Sequence, residues 1–199
     1  MGKYNLYVRD ENGEEISVEA LLNKHDGVGG ARQFLRGNVE ITVVKHTVDL
    51  SVPPRLPFDI AEVVKHEGEG VVEIELRSDD NLYINGKKVV LHLSERQKDD
   101  KRIVGHELLQ ELESGEQVLL NSNVLDYLYD HSELFPKHWK KDENGDTRNI
   151  FFWGSIFRNP ADGSLYAHYL FWDSGYLFRR YRWLGFGWDR QDPSACIAS

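Results

Sequence analysis

Hydrophobic and polar residues alternate along two short stretches near the start of the chain. They are VEITVV (39–44) and VVEIELR (71–77). In the second stretch Val72, Ile74 and Leu76 fall on one face and the glutamates on the other, which is typical of a half-buried strand. Both stretches are therefore predicted to be β-strands.

Two further stretches of this N-terminal part have turn or loop composition. SVPPRLPFD holds three of the six prolines, and because proline cannot donate to a sheet ladder, it predicts a loop or an edge. HDGVGGARQF is glycine-rich but lacks the lysine and Ser/Thr of a P-loop, which argues against a phosphate-binding loop. Residues 1–80 are predicted to form a small β-rich unit.

The pattern changes after residue 80, where a hairpin and then a helix are predicted. NLYINGKKVVLHL places Asn-Gly between two apolar runs, a strong hairpin signal. Val104, Leu108 and Leu112 recur at a spacing of four, and Gly115 follows them. This spacing predicts a short amphipathic helix that ends at the glycine.

A second helix is predicted after the strand-like segment EQVLLNSN. Asn123 is expected to be its N-cap residue, with Asp126 three positions later as in a capping box. The apolar side of this helix is expected to contain Val124, Leu125 and Leu128.

The last third of the chain predicts only strands. NIFFWGSIF is apolar at both alternating sets of positions, as in a strand buried on two faces. The turn-forming segments NPADGS and DSG separate it from LYAHYLFW and YLFRRYRW. A hairpin, two helices and a long antiparallel meander together predict an α+β fold, with the helices segregated from the sheet.

The formal charge of −9 is distributed unevenly along the chain. Residues 144–199 hold six arginines, five aspartates and 14 of the 23 aromatic residues, but no lysine, glutamate or methionine. A twisted sheet accounts for the aromatic residues. Arg179, Arg180 and Arg182, however, cannot all enter a core without partners. Most of this segment is therefore predicted to be exposed.

The histidines and acidic residues match no known metal or catalytic pattern. His106 begins an HExxH-like sequence, but Gln110 stands where the second histidine is required. His131 and His138 bracket a proline and cannot share one helix face. KDENGDTR lacks the closing glutamate of an EF-hand, and no GxSxG motif occurs. No catalytic residue, metal ligand or cofactor is predicted.

Other features limit the redox chemistry and the location of the protein. The single cysteine, Cys196, excludes an internal disulfide and is expected to be a buried apolar residue. The sequence contains no run of about 18 apolar residues, so no membrane-spanning segment is predicted. MGKYNLYVRDENGEE turns charged before a signal-peptide core could form, so no classical export signal is predicted, although a mature chain would look the same. Cytoplasm, virion and a cell surface reached by another route remain open.

Three stretches within roughly residues 82–199 resemble a known family. GHELLQELESGEQVLLNSNVLDYL, IFFWGSIFRNPADGSLYAHYLFWDSG and WLGFGWDRQDPSACIAS are similar to the variable proteins of diversity-generating retroelements, which occur in phages, archaeal viruses, nanoarchaea and small-genome uncultivated bacteria. The resemblance implies a C-type lectin-like domain at 81–199 with a variable region at 169–199. It also implies that an error-prone reverse transcriptase rewrites this region by randomising adenines of a template copy.

The resemblance further divides the C-terminal region into framework and variable positions. The implied framework residues are Trp172, Trp183, Leu184, Trp188 and Pro193. Nearly all intervening residues are accessible from an asparagine codon, and Gln191 is the exception. The residues expected to contact the ligand are Asp173, Ser174, Gly175, Tyr176, Phe178, Arg179, Arg180, Tyr181, Arg182, Gly185, Phe186, Gly187, Asp189, Arg190 and Asp192.

The residue types favour the same division on physical grounds. Each large aromatic side chain can bury about 150–250 Å², so a few indoles can hold a sheet whose intervening residues vary. Tyrosine, serine, glycine and arginine are also common in binding surfaces. The alternative is that Tyr176, Phe178 and Tyr181 are ordinary core residues of a strand.

The sequence thus predicts a non-enzymatic protein that displays a hypervariable surface to a protein ligand. Calcium is not implied, because the EPN, QPD and WND motifs of sugar-binding C-type lectins are absent, and the related formylglycine-generating chemistry needs paired cysteines. Two alternatives remain. One is an enzyme with a scattered site around His106 or His168. The other is a carbohydrate- or nucleic-acid-binding β module, although the net charge of −9 argues against nucleic acid.

Overall fold

The chain divides into two compact units in a computed structural model. The units are residues 1–46 and 47–199. The described residues are 6–9, 15–17, 40–43, 46–99 and 101–197. The sequence placed the boundary after residue 80 instead. The difference arises because strands between residues 47 and 80 are hydrogen-bonded into the sheet of the larger unit.

The first unit contains a three-stranded antiparallel sheet in the order β2-β1-β3. Its strands are β1 (Leu6–Arg9), β2 (Glu15–Ser17) and β3 (Glu40–Val43). The strand predicted in VEITVV coincides with β3. HDGVGGARQF lies outside the described residues, as do the last two residues of the predicted variable region.

The larger unit combines two α-helices of the described residues with a strongly curled, mostly antiparallel sheet. The helices are α1 (Gly105–Ser114) and α2 (Ser122–Asp130). The strands are β4 (His46–Asp49), β5 (Glu62–His66), β6 (Val71–Leu76), β7 (Leu82–Ile84), β8 (Lys87–His92), β9 (Ile103–Val104), β10 (Val118–Leu119), β11 (Asn149–Arg158), β12 (Leu165–Asp173), β13 (Tyr176–Trp183), β14 (Gly187–Trp188) and β15 (Ser194–Ile197). This architecture confirms the predicted α+β class.

The order of strands places the C-terminal strand in the middle of the sheet. The path is β13-β12-β11-β15-β8-β7-β6-β4, with β10 also paired to β15 and β5 to β11. Strands β9 and β14 form a separate pair. Strand β13 therefore lies at one end of the path and pairs, among the described strands, only with β12.

Two tight turns have the backbone that their sequences predict. Asn85 and Gly86 have φ values of 48° and 76° between β7 and β8, and Ser174 and Gly175 have 47° and 88° between β12 and β13. Positive φ at both central residues fits a type I′ turn, whose twist matches that of the flanking strands. The Asn-Gly hairpin and the turn at DSG are confirmed.

The first helix ends where the sequence indicates. Leu108 and Leu112 are buried, and the backbone N–H of Gly115 donates to the carbonyl of Leu112. Gly105, at the other end, lies so close to Trp188 that a Cβ there would be 2.6 Å from its Cη2 atom. Neither helix of the described residues is long and apolar enough to cross a membrane.

The second helix begins two residues earlier than the sequence predicted. Asn121, not Asn123, is the cap, since its side chain accepts from the backbone N–H groups of Asn123 and Val124. The side chain of Asn123 instead donates to the carbonyls of Asp49 and Val52, at 3.0 and 2.8 Å. The predicted cap was wrong because these partners lie more than 70 residues away in the sequence.

Strand β11 separates two hydrophobic cores. Every residue from 150 to 157 is buried. On one side Ile150 and Phe152 belong to a core that includes Leu125 of α2, whereas on the other side Phe151 and Trp153 belong to a core that includes Leu108 of α1. The strand predicted to be apolar on both faces is confirmed, and each face has a helix packed near it.

A bulge in β11 holds the start of α2. The pairing with β12 shifts between Phe152 and Ile156. Within this bulge the N–H of Gly154 donates to the carbonyl of Leu120 at 2.9 Å. A Cβ at Gly154 would be 2.8 Å from the carbonyl oxygen of Leu119, so glycine is required by the close approach of the two backbones.

The implied framework residues differ in burial. Leu184 and Trp188 are fully buried, Pro193 is buried, and Trp172 is half-buried. Trp183 departs from the expectation, since it is 40% exposed. The reason is the alternation of β13, which directs Trp183 away from the core that contains Trp188.

The difference between these two tryptophans yields a stability prediction. Trp188→Ala should lower the free energy of unfolding by about 3–5 kcal/mol, because its ring packs against Phe151 and Trp153 at centroid distances of 5.4 Å. Trp183→Ala is the matched control and should cost less than about 2 kcal/mol. Urea unfolding curves of both variants test this, and equal losses would contradict the inferred difference between the buried Trp188 and the exposed Trp183.

Candidate binding surface

Alternation along β13 divides the predicted site residues between two faces of the sheet. Leu177 and Arg179 lie on the side covered by α2, where Leu177 is buried and Arg179 bonds Asp126 of that helix. The opposite side carries the residues that we call the tail face, which comprises Tyr169 and Phe171 of β12 with Tyr176, Phe178, Arg180 and Arg182 of β13. Charged residues on an edge strand also discourage pairing with other strands.

The tail face is built on a ladder of aromatic rings. Phe171 stacks on Phe178 with a centroid distance of 5.2 Å, and Tyr169 lies 5.9 Å from Phe171. Tyr169 in turn stacks on the fully buried Phe151 at 4.8 Å. Burial therefore decreases from β11 outward, and the outer rings of Phe171 and Phe178 are half-buried. Such rings stabilise the sheet and still offer area to a partner.

Arg182 covers the inner end of this ladder. Its guanidinium carbon lies 5.0 Å from the ring centre of Phe151 and 5.4 Å from that of Trp188, within the range of a cation–π contact. Its Nη1 atom donates to Oδ2 of Asp192 at 2.6 Å. Because both contacts are largely buried, Arg182 is part of the packing and is not free for a ligand.

Asp192 is buried, although the sequence placed it among the ligand-contacting residues. It is 3% exposed, and it accepts from Arg182, from the side chain of Asn149 at 2.8 Å and from the backbone N–H of Asp189 at 3.2 Å. Burial raises the pKa of Asp192, while Arg182 opposes this shift. These bonds fix the C-terminal loop against β11 and β13.

Two other arginines of the predicted site are also paired. Arg179 contacts the nearly buried Asp126 at 2.5 Å, and burial raises the pKa of Asp126 in spite of this partner. Arg190 contacts Asp146 at 3.1 Å and Asp142 at 3.8 Å. Both arginines therefore compensate carboxylates of the chain itself.

Arg180 is different from these three arginines. It is exposed, and no carboxylate of the described residues lies within 4.0 Å of its guanidinium. Its guanidinium lies 6.0 Å from the Phe178 ring and donates to the carbonyl of Arg179 at 3.4 Å. The tail face thus carries one uncompensated positive charge next to half-buried rings.

A cavity of about 320 Å³ lies at the end of the tail face where Arg182 meets the C-terminal loop. Five predicted residues line it, namely Arg182, Phe186, Gly187, Asp189 and Asp192. Three further residues line it that were not among the predicted contact residues, namely Arg102, Asn149 and Gln191. Their side chains carry no signal of this role, because the chain brings them together only through strand pairing and the loop.

The remaining predicted residues lie around the hairpin turn and the loop after β13. Asp173, Ser174 and Gly175 are exposed, and Tyr176 beside them is 71% exposed. Gly185 is constrained instead, since a Cβ there would be 2.6 Å from the Trp183 ring. The turn is therefore open to a partner, whereas Gly185 serves the local packing.

Tyr181 lies on the face opposite Arg180. Its ring contacts Phe58 at 5.5 Å and Tyr166 at 5.6 Å, and 43% of the residue is exposed. The pattern of β13 alone would have found this division. The prediction that the whole segment forms one surface was therefore wrong for Tyr181, which lies on the other face of the sheet.

The histidines named for an enzymatic alternative do not share a site. His106 is exposed. His168 is 1% exposed, and its Nδ1 atom lies 3.0 Å from Oγ of Ser122 in the core. Burial lowers the pKa of His168 to about 3, so the ring is neutral at ordinary pH. Cys196 is buried as predicted, and burial raises the pKa of its thiol to about 11.

Comparisons with protein-family models, curated protein sequences and solved structures give no match. Arguments about function therefore rest on the residues of the chain itself. The residues that give the clearest indication of a binding surface are the aromatic rings and the uncompensated Arg180 of the tail face.

Arg182 is paired with a buried carboxylate and Arg180 is not, so only Arg182 is predicted to contribute strongly to stability. Arg182→Gln should lower the free energy of unfolding by about 2–4 kcal/mol, because it leaves the buried Asp192 without a counter-charge. Arg180→Gln should change it by less than about 0.5 kcal/mol. Chemical denaturation at neutral pH measures both. The loss in Arg182→Gln should shrink in acid as Asp192 is protonated, and a pH-independent loss would contradict the charge argument.

Burial of His168 predicts a pH-dependent stability. At a pH between the ordinary histidine pKa of 6.5 and the lowered pKa of about 3, the unfolded chain binds a proton at His168 and the folded chain does not. Stability from this group is therefore present above pH 6.5 and falls by about 1.4 kcal/mol for each unit below it. The difference in unfolding free energy between the wild type and His168→Gln should narrow accordingly between pH 6 and pH 4. A constant difference would show that His168 is protonated in the fold.

Proposed function

We propose that this chain is a ligand-binding protein of the kind that diversity-generating retroelements vary. In this proposal residues 81–199 form a C-type lectin-like domain, and the positions between 173 and 192 present a diversified surface to a protein ligand. The chain catalyses no reaction. The resemblance of the three quoted C-terminal stretches motivates the proposal, and the geometry of the tail supports it.

The observation that carries the proposal is the separation of buried and exposed residues within the tail. Leu177, Leu184 and Trp188 are buried. Tyr176, which directly precedes Leu177, and Phe186, which lies between Leu184 and Trp188, are 71% and 57% exposed. Side chains at the exposed positions can change without altering the core, which is what a surface under diversification requires.

The chemistry of the exposed residues also suits recognition. Large exposed apolar side chains mark interaction sites when they occur together, and the exposed Tyr176 lies on the same face of the sheet as the stacked rings of Phe171 and Phe178. Phe186 is exposed at the cavity beyond the other end of β13. Serine and glycine at the turn add small, adaptable contacts. This mixture of rigid aromatic and small residues resembles the binding loops of antibodies.

The packing narrows the set of residues proposed to contact the ligand. Arg179, Arg182 and Asp192 hold the structure through buried ion pairs, and Gly185 packs against Trp183. The proposed contact residues are therefore the hairpin turn, the outer tail face and the rim of the cavity, represented by Asp173, Ser174, Tyr176, Phe178, Arg180, Phe186 and Asp189.

Sequencing the DNA around the gene tests the proposed origin of the surface. We expect a near-duplicate of the stretch that encodes residues 169–199, next to a reverse transcriptase gene. The two copies should differ only at adenines of the template copy, and the codons of Leu184, Trp188 and Pro193 should be identical in both. A gene without such a repeat, or with differences at other bases, would refute the proposal.

A further inference from the structure

We propose that the partner presents a carboxylate, from an aspartate or glutamate of an acidic protein segment, to Arg180 on the tail face. This inference rests on the proposed function and adds the chemical class of the partner. It follows from the charge that the fold leaves uncompensated at this position.

The charge balance of the tail singles out Arg180. Arg179, Arg182 and Arg190 each have a carboxylate of the chain within 4.0 Å, so a ligand would have to break an existing ion pair to use them. Arg180 has no such partner among the described residues and is exposed. A ligand carboxylate can therefore bind it in a bidentate way without displacing another group.

The surroundings of Arg180 favour a strong contact. Tyr169 is its direct neighbour across the β12–β13 ladder, and the Phe178 ring lies 6.0 Å from its guanidinium. A partner that covers these half-buried rings also removes water from the guanidinium. An ion pair is stronger when water is excluded from it, and contacts of this kind at the centre of an interface dominate affinity.

The same surroundings argue against a polyanion such as nucleic acid. Nucleic acid binding relies on several phosphates neutralised by lysines and arginines. Here the tail face has a single uncompensated arginine, and the whole chain has a charge of −9. A single carboxylate of a protein partner can be neutralised by one cation, and the tail face supplies that cation as Arg180.

Peptide selection tests the inference on the full chain. A phage-displayed library of random 12-residue peptides is selected on the immobilised wild type, and the selected peptides are synthesised. We expect aspartate and glutamate to be enriched over the unselected library. Arg180→Gln should weaken binding of these peptides by about tenfold or more, as expected for loss of a charge-assisted contact.

Arg158→Gln is the matched control for charge. Arg158 is also exposed and has no carboxylate of the described residues within 4.0 Å, but it lies at the C-terminal end of β11. The substitution changes the net charge equally and should alter the affinity less than twofold. Unfolding curves of both variants verify that each is folded. Equal weakening by the two substitutions would overturn the inference, because it would show a general charge effect.

The remaining outcomes separate the inference from the proposed function. Two outcomes overturn the inference but leave the proposed function standing. In both, the selected peptides bind the Tyr176→Ala/Phe186→Ala double variant more weakly than the wild type. In the first outcome these peptides are not enriched in acidic residues, and in the second they bind Arg180→Gln as tightly as the wild type. Selection of no peptide that depends on any of these residues overturns both. A fluorescent single-stranded dT20 that binds with a steep salt dependence, and loses affinity on Arg180→Gln, would assign Arg180 to phosphate and overturn the carboxylate.

Discussion

The burial of strand β11 on both faces is the constraint on which the rest of the larger unit depends. Residues 150–157 are all enclosed, so each face of the strand must be covered by a core of its own. Helix α1 contributes to one core and helix α2 to the other. The bulge at Gly154 then fixes where α2 begins, and the helix in turn decides which face of β12 and β13 is covered.

The binding surface follows from this arrangement. Strands β12 and β13 extend the sheet outward from β11, and in the row of rings Phe151 of β11 is buried whereas Tyr169, Phe171 and Phe178 of the outer two strands are half-buried. The inner rings belong to the core, whereas the outer rings are available to a partner. Arg182 and Asp192 close the inner end by a buried ion pair. Arg180 is left as the charged residue of the outer part.

Local patterns in the sequence predicted most elements of the larger unit, because their causes are local. Alternation identified β6, the continuous apolar run identified β11, the flanking turn segments indicated β13, and the Asn85-Gly86 turn needed only its own two residues. The wrong predictions concern residues whose partners are distant in the sequence or in another strand. Asn123 was taken as the helix cap, although backbone carbonyls about 70 residues earlier hold its side chain. Asp192 was taken as a contact residue, although Arg182 and Asn149 bury it. Only tertiary packing decides such cases.

The sequence predicted which segment of the chain contains the candidate site, but not which of its residues lie together on one face. Composition marked residues 144–199 as unusual, and the resemblance narrowed the site to 173–192, where Asp173, Ser174, Gly175, Phe186 and Gly187 are exposed turn and loop residues. The division of β13 into two faces and the contribution of Phe171 follow from strand alternation and pairing, whereas the prediction from the sequence treated the segment as one surface. Arg102 and Asn149 could not be found in this way, because they come from distant parts of the chain.

The central claim is that the buried framework carries most of the stability of the tail, so that its outer residues are free to vary. A library that randomises Tyr176, Phe178, Arg180 and Phe186 together, sorted by resistance to protease on a cell surface, tests this claim directly. The account predicts that most members unfold within about 1 kcal/mol of the wild type. A library in which most members are unfolded would contradict it.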